Sequence, residues 1–368
     1  MPKAGVVTAT SLNFRESPGG TIMRALTKGA VVEIVDDQGE FLKISFEGRT
    51  GFVKASFVEI KSDATPSTGG SNAGEFRFDG KDAVAPDATR FAKRFRLGVF
   101  NNGQTSIGEF VAAHPERFAN IAPSRLRVMQ AVSQNEGKLE AINTWDNSFL
   151  TFGAFQWVVG SGAGAGELPA LIDKLKQKDA AVFDRFFGSH GLDVSAISAP
   201  AGATPTGFFI LQGEKLVTPA QKERLRKLEW AFRFWLAGHD DTVRQVEIEH
   251  AMSRVDLFYR DPGHQIAGLP ISDYISSEYG VALLLDEHVN RPGHVPGTLR
   301  SAVSKYTADS GRGDPKVWTD TDESKLLAIY LNVREKTNMT DPRVRGDRIR
   351  AAVTAGKASD KRGSYKDA

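Results

Sequence analysis

The sequence predicts a multidomain chain: a small all-β module over residues 1–60, then a mainly α (α+β) domain over residues 76–356. Three observations carry this. Residues 6–60 alternate short apolar runs with glycine-bearing turns, residues 61–75 are small, polar and glycine-rich, and from Phe76 onward apolar residues recur at helical spacing.

In the first module the expected strands are Val6-Val7-Thr8-Ala9, Leu12-Asn13-Phe14-Arg15, Val31-Val32-Glu33-Ile34-Val35, Phe41-Leu42-Lys43-Ile44-Ser45 and Gly51-Phe52-Val53. Turns at Ser17-Pro18-Gly19-Gly20, Lys28-Gly29, Gln38-Gly39 and Glu47-Gly48 separate them, as expected of a small barrel or sandwich. The stretch 61–75 has the composition of a flexible linker.

Beyond it, helices are expected over Thr105 to Phe118 and Ser124 to Glu136. The second has Ser124 as N-cap and an apolar face of Leu126, Val128, Met129 and Val132. Gly137 is the expected stop. Ile142, Thr144 and Asp146, then Phe149, Thr151 and Gly153, alternate around the turn Asp146-Asn147-Ser148 and read as a short hairpin. A further helix opens at Gly166-Glu167-Leu168-Pro169, and long helices follow over Pro219–Ala237 and Asp240–Tyr259. Ile275 to Val289 reads as a buried helix, and residues 357–368 as a frayed polar tail.

Composition sets bounds on function. The 368 residues are 40% hydrophobic and 25% charged, ordinary globular values, and the net charge of +2 is too small to imply a nucleic-acid partner. With no cysteine, disulfides, thiolate metal sites and a cysteine nucleophile are excluded. The start Met1-Pro2-Lys3-Ala4-Gly5-Val6-Val7 lacks the apolar core of a secretory signal, and no apolar run reaches the roughly eighteen residues of a membrane span. Synthesis in the cytoplasm without membrane insertion is expected.

The chemistry concentrates in Asn135 to Trp157. Glu136 is expected at the C-terminal end of a buried helix, where unpaired carbonyls and burial both favour its protonated form, as a proton donor requires. Other segments carry reactive groups without a recognisable pattern. His239-Asp240-Asp241 and Glu247-x-Glu249-His250 lack metal-ligand spacing and read as a solvated helix surface, so no metal and no cofactor are expected. Ser161 to Gly166 lacks the lysine of a phosphate loop and reads as a mobile loop. Arg343, Arg345, Arg348 and Arg350 fit either a solvated face or a surface steering an anionic polymer.

Two resemblances follow. Leu12-Asn13-Phe14-Arg15, Leu26-Thr27-Lys28-Gly29, Phe41 and Gly48-Arg49-Thr50-Gly51-Phe52-Val53 resemble the pattern of the bacterial SH3-like domain. That likeness implies a cell-wall-binding module, with Phe41 or Phe52 either stacking on ligand or lying in the core. The spacing of Glu136-Gly137, Asp146, Thr151 and Gly153 resembles the Glu-Asp-Thr pattern of phage-type lysozymes, and Phe152-Gly153-Ala154-Phe155-Gln156 is similar to a strand of goose-type lysozymes and lytic transglycosylases. Gln156 stands where the phage pattern has a histidine.

By this likeness the second domain is lysozyme-like and the chain a muramidase cleaving the β-1,4 bond between N-acetylmuramic acid and N-acetylglucosamine. Glu136 would be the acid, Asp146 the base or electrostatic partner, and Thr151 the residue holding the attacking water. Gln156 and Trp157 would line the sugar cleft, with Asn290 and Arg291 on its far wall. An inverting hydrolase needs carboxyl groups about 6.5 to 9.5 Å apart, so Glu136 and Asp146 are expected to face one cleft. The expected partners are peptidoglycan glycan strands and stem peptides, reached in the periplasm or cell wall after lysis, as by an endolysin, or after injection, as by a toxin. A toxin would add an immunity protein or a secretion-machine component. A lytic transglycosylase, a chitosanase and a non-catalytic wall-binding protein are the alternatives.

Overall fold

The computed structural model describes residues 3–9, 11–27, 29–61 and 74–367. The expected linker falls mainly on 62–73, outside the described residues. The chain divides into two compact units, Met1–Val99 with Trp145–Asn147, and Phe100–Thr144 with Ser148–Ala368.

The first unit opens with strands β1 (Lys3–Val7), β2 (Ser11–Arg15), β3 (Ile22–Thr27), β4 (Val31–Asp37), β5 (Phe41–Phe46), β6 (Arg49–Lys54) and β7 (Val58–Lys61). They form one antiparallel sheet in the order β3-β2-β6-β5-β4-β1-β7. Alternation builds its core: Leu12, Phe14, Val32, Ile34, Leu42, Ile44 and Val53 all turn inward. Glu47 (φ 50°) and Gly48 (φ 75°) close the β5–β6 hairpin with two successive left-handed residues, the geometry of a type I′ turn. Phe41 and Phe52 are half-buried and lie outside this core. β3 shows no alternating apolar signal, since Leu26 alone on it is buried, which is why the sequence reading passes over it.

Strands β8 (Arg77–Asp79), β9 (Asp82–Val84) and β10 (Arg90–Phe95) pair antiparallel in the same unit. This corrects the expected start of a helical domain at residue 76. The strands are too short to show a period, and ion pairs of Arg90 and Lys93 with Asp82 hold them from outside.

The boundary between units falls inside β11 (Gly98–Asn101). In the second unit β11 pairs with β12 (Ile142–Asn143), which pairs with β13 (Thr151–Phe152), which pairs with β14 (Trp157–Val158). The rest is mainly helical: α1 (Ile107–Ala113), α2 (Pro123–Val132), α3 (Leu168–Lys178), α4 (Ala180–Phe186), α5 (Pro219–Lys222), α6 (Leu228–Ala237), α7 (Asp241–Asp256), α8 (Ile271–Tyr274), α9 (Glu278–Asn290), α10 (Val295–Ser310), α11 (Asp320–Glu335) and α12 (Pro342–Thr354).

The expected buried helix is α9, which Ser277 caps by accepting the Gly280 N–H at 2.9 Å. Every residue from Glu278 to His288 is buried, and α2, α7, α10 and α12 pack around it. A helix buried on all sides exposes no polar stripe, so its charged residues need partners inside the protein.

Three local expectations are corrected. Ser124 is not the N-cap of α2, because Pro123 takes the first helical position; the Ser124 hydroxyl donates to the Lys366 carbonyl at 2.6 Å and accepts the Lys366 N–H at 2.8 Å. The same contacts overturn the frayed tail over its described residues, since Tyr365 is 5% exposed and the Ser364 hydroxyl accepts the Glu278 N–H. The glycine-rich loop at 161–166 is tied down: buried Lys222 donates to the carbonyls of Gly160 at 2.9 Å, Gly162 at 3.0 Å and Gly164 at 2.5 Å. Carbonyls brought together by small residues take the place of water around the ammonium.

Candidate active site

Glu136 sits where α2 gives way to a single 3₁₀ turn, Ser133–Asn135, and its own backbone is extended (φ −107°, ψ 175°). Gly137 therefore does not end the helix in a left-handed conformation, as expected. Its N–H donates to the Ala154 carbonyl at 2.8 Å, and a Cβ there would stand 3.1 Å from that oxygen and 3.3 Å from Gln156 Nε2. Glycine is needed because the 153–156 turn lies directly against it.

The Glu136 side chain is 9% exposed. Arg345, from α12, donates to Glu136 Oε1, while Oε2 has no hydrogen-bond partner among the described residues. Arg345 also binds Asp286 of α9, through Nε at 3.0 Å and Nη2 at 2.7 Å. Asp286 is fully buried and takes a second guanidinium, Arg334 Nη1 at 3.0 Å, and the Asn135 amide at 3.0 Å.

Burial pushes the Glu136 carboxyl above its ordinary range; Arg345 pulls the other way, and the Asp286 charge adds to the rise. Arg345 opposes burial only partly because a second carboxylate shares its charge. The outcome is an acid with one oxygen fixed and the other available for a proton.

A second buried polar group lies on α7. Its residues Glu247, His250 and Arg254 follow a spacing of three and four and are all buried, so the reading of Glu247 and His250 as a solvated surface is corrected. Glu167 accepts from His250 Nε2 at 3.0 Å and from Arg254 Nε at 3.2 Å. Burial pushes the Glu167 carboxyl up, but Arg254 and His250 together hold it below the usual carboxylate range. Arg254 also acts electrostatically on Glu136 and on His288, whose imidazole burial drives down to about 3. Among the described residues, Arg254 Nη1 and His288 Nδ1 are buried without a hydrogen-bond partner.

The remaining expected residues separate. Gln156 is exposed with φ 53°, its amide donates to the Gly153 carbonyl at 2.8 Å, and it lies beside Gly137, next to the acid. Thr151 is buried, and its hydroxyl has no hydrogen-bond partner among the described residues. Trp157, expected to line the sugar cleft, is 2% exposed, stacked on Phe155 at 5.6 Å and edge-on to His250 at 5.7 Å. Asp146 is half-buried and belongs with Trp145 and Asn147 to the first unit, whereas Glu136 and Thr151 belong to the second.

Asn290 ends α9 one turn after Asp286 and accepts the Thr340 N–H at 3.4 Å. Arg291 follows, 3.5 Å from Glu287. Glu140, the other carboxylate of the motif, is a structural residue: buried, it accepts the Gln104 and Thr105 N–H groups and pairs with Arg244. Among the described residues no group of His, Asp and Glu side chains could hold a metal ion.

The first unit supplies the family evidence, since its sheet and turns follow the expected module. Residues 10–59 match the model of the bacterial SH3 domain. No curated protein and no solved structure matches the chain. The SH3 domain thus covers most of the first sheet, and the helical unit rests on its own geometry.

Proposed function

We propose that the helical unit is a glycosidase of lysozyme-like fold, a muramidase cleaving the β-1,4 bond between N-acetylmuramic acid and N-acetylglucosamine, with Glu136 as its general acid. The observation that carries the reading is the Glu136 carboxyl, its side chain 9% exposed, raised above its ordinary range, and held at one oxygen by Arg345 while the other makes no hydrogen bond among the described residues. Such a group keeps its proton to higher pH than an exposed glutamate and can deliver it to a leaving glycosidic oxygen. Gln156 beside it offers an exposed amide for a sugar. Thr151, whose hydroxyl has no hydrogen-bond partner among the described residues, is the proposed holder of the attacking water, and Asp146 stays the proposed base or electrostatic partner. Asn290 and Arg291 are the proposed contacts of the far wall. The SH3 domain supports a bacterial wall as substrate, with stem peptides as its ligand. Action in the periplasm or cell wall would follow release by lysis or injection.

One observation favours a second reading, lytic transglycosylation. Gln156 lies beside Glu136, and the run Phe152-Gly153-Ala154-Phe155-Gln156 is similar to a strand of lytic transglycosylases, whose reaction needs the acid without a water-activating carboxylate.

Digestion of purified sacculi, with product analysis by mass spectrometry, tests both. Hydrolysis predicts reducing N-acetylmuramic acid ends, and transglycosylation predicts 1,6-anhydro ends. Cleavage of chitosan but not sacculi would point to a chitosanase. Binding to sacculi with no cleavage of either polymer would contradict the enzymatic reading.

A further inference from the structure

Glu247 is a carboxyl that neither the acid nor its ion pairs use. It is 0% exposed, on the inner face of α7. Its Oε2 accepts the Ala154 N–H at 3.2 Å, and its Oε1 has no hydrogen-bond partner among the described residues. A Cβ at Gly153 would stand 2.3 Å from Oε2, so the turn passes directly over the carboxyl. The carbonyl of the same Ala154 accepts the Gly137 N–H at 2.8 Å. One residue, Ala154, therefore separates Glu247 from the backbone that carries Glu136.

We propose that Glu247 is a positioning residue, a neutral carboxylic acid whose oxygen holds the Gly153–Gln156 turn and, through Ala154 and Gly137, sets the Glu136 carboxyl; this rests on the glycosidase reading of Glu136. Neutrality follows from the surroundings. Among the described residues no cation pairs with Glu247, and the charged groups that act on it, Glu140 and Arg244, are already paired with each other. His250, one turn along the helix, is paired with Glu167, and Trp157 and Gly153 complete the contact face. An unpaired carboxylate in such a place is costly, so the proton stays on, in keeping with the strong upward push of burial on this group.

The test uses the full chain with Glu247→Gln, which keeps a neutral acceptor, and Glu247→Met, which removes it. Glu247→Gln should keep kcat on wall fragments within about threefold, while Glu247→Met should lower kcat about tenfold with KM nearly unchanged. Independently of activity, hydrogen exchange of the segments containing Gly137 and Ala154 should quicken in Glu247→Met and not in Glu247→Gln. The carbonyl infrared absorption of protonated carboxyls at neutral pH should lose one component in Glu247→Gln, with any contribution of Glu136 left in place. If Glu247→Met does not fold, Glu247→Asp, which draws the acceptor back by one methylene, should reproduce the exchange effect.

Loss of activity in Glu247→Gln with unchanged exchange would overturn the proposal, because the carboxyl itself would then be reacting. Unchanged exchange in both Glu247→Met and Glu247→Asp would also overturn it. A wild-type chain that cleaves no wall polymer while the exchange pattern holds would sink the glycosidase reading and leave Glu247 a support of the turn.

Discussion

The SH3 sheet and the helical unit solve the problem of a core in opposite ways. The interior of the sheet is apolar, from Val7 and Leu12 through Phe14 to Val58, and among the described residues no charged side chain of the first unit is buried. The helical unit buries Glu140, Glu167, Glu247, Glu278, Asp286, Glu287, Glu323, Arg254 and Arg334. An apolar core is sufficient for a fold, whereas buried charges need partners arranged in advance and are a costly way to gain stability. Five of these lie on α7 and α9, whose Arg254 and Asp286 act electrostatically on Glu136, which teaches that this interior is shaped by electrostatic demands beyond stability.

The contrast can be broken most severely at Arg334. Arg334→Met leaves fully buried Asp286 short of a partner and should destabilise the helical unit by about 3–5 kcal/mol, measured by urea denaturation. Adding Asp286→Leu should recover much of that loss, since a charge-free pair is tolerated where a half-pair is not. Phe14→Ala, which opens a cavity in the sheet, should cost a similar amount, about 3–5 kcal/mol, with no second-site recovery of this kind.

A smaller effect sharpens the comparison through pH. His288 is 3% exposed and depressed from 6.5 to about 3, so the unfolded chain takes up its proton first on acidification. The stability it contributes is present above pH 6.5 and is lost progressively as pH falls towards 3, at about 1.4 kcal/mol per pH unit. His288→Gln should flatten this acid limb in thermal melts of the helical unit and leave the SH3 domain's limb unchanged.

The mildest expected effect concerns Arg345. It lowers a Glu136 carboxyl that burial raises, so Arg345→Met should move the acid's titration further up. Activity that depends on protonated Glu136 would then persist to higher pH, and the alkaline limb of the kcat profile should shift upward. An unshifted limb would mean that Glu136 is not the group whose protonation that limb reports.

Legibility in the sequence follows the same division. The SH3 strands are readable because Leu12, Phe14, Ile34, Leu42 and Ile44 alternate with polar neighbours, and Glu47-Gly48 marks a tight turn. Glu136 and the buried character of α9 are readable for similar reasons, one from a helix end and the other from an apolar run. Arg345 is not, because it lies 209 positions from Glu136 in a run of arginines that reads equally as a solvated face. Glu247, His250 and Arg254 are hidden more deeply. Charged residues on the inner face of α7 cancel the amphipathic pattern that would reveal which side is buried. The i, i+3, i+7 spacing of these three ionisable residues is the one signal that could have located them. Trp157 misleads in the other direction, since an aromatic beside Gln156 reads as a cleft-lining residue while its ring fills the space between Phe155 and His250.

Glu136→Gln removes the one proton on which the proposed cleavage depends. Clearing of purified cell walls by the full chain should fall by at least about a hundredfold, with an unchanged cooperative melt showing that the fold persists. Near-normal clearing by a folded Glu136→Gln chain would contradict the assignment of Glu136 as the acid.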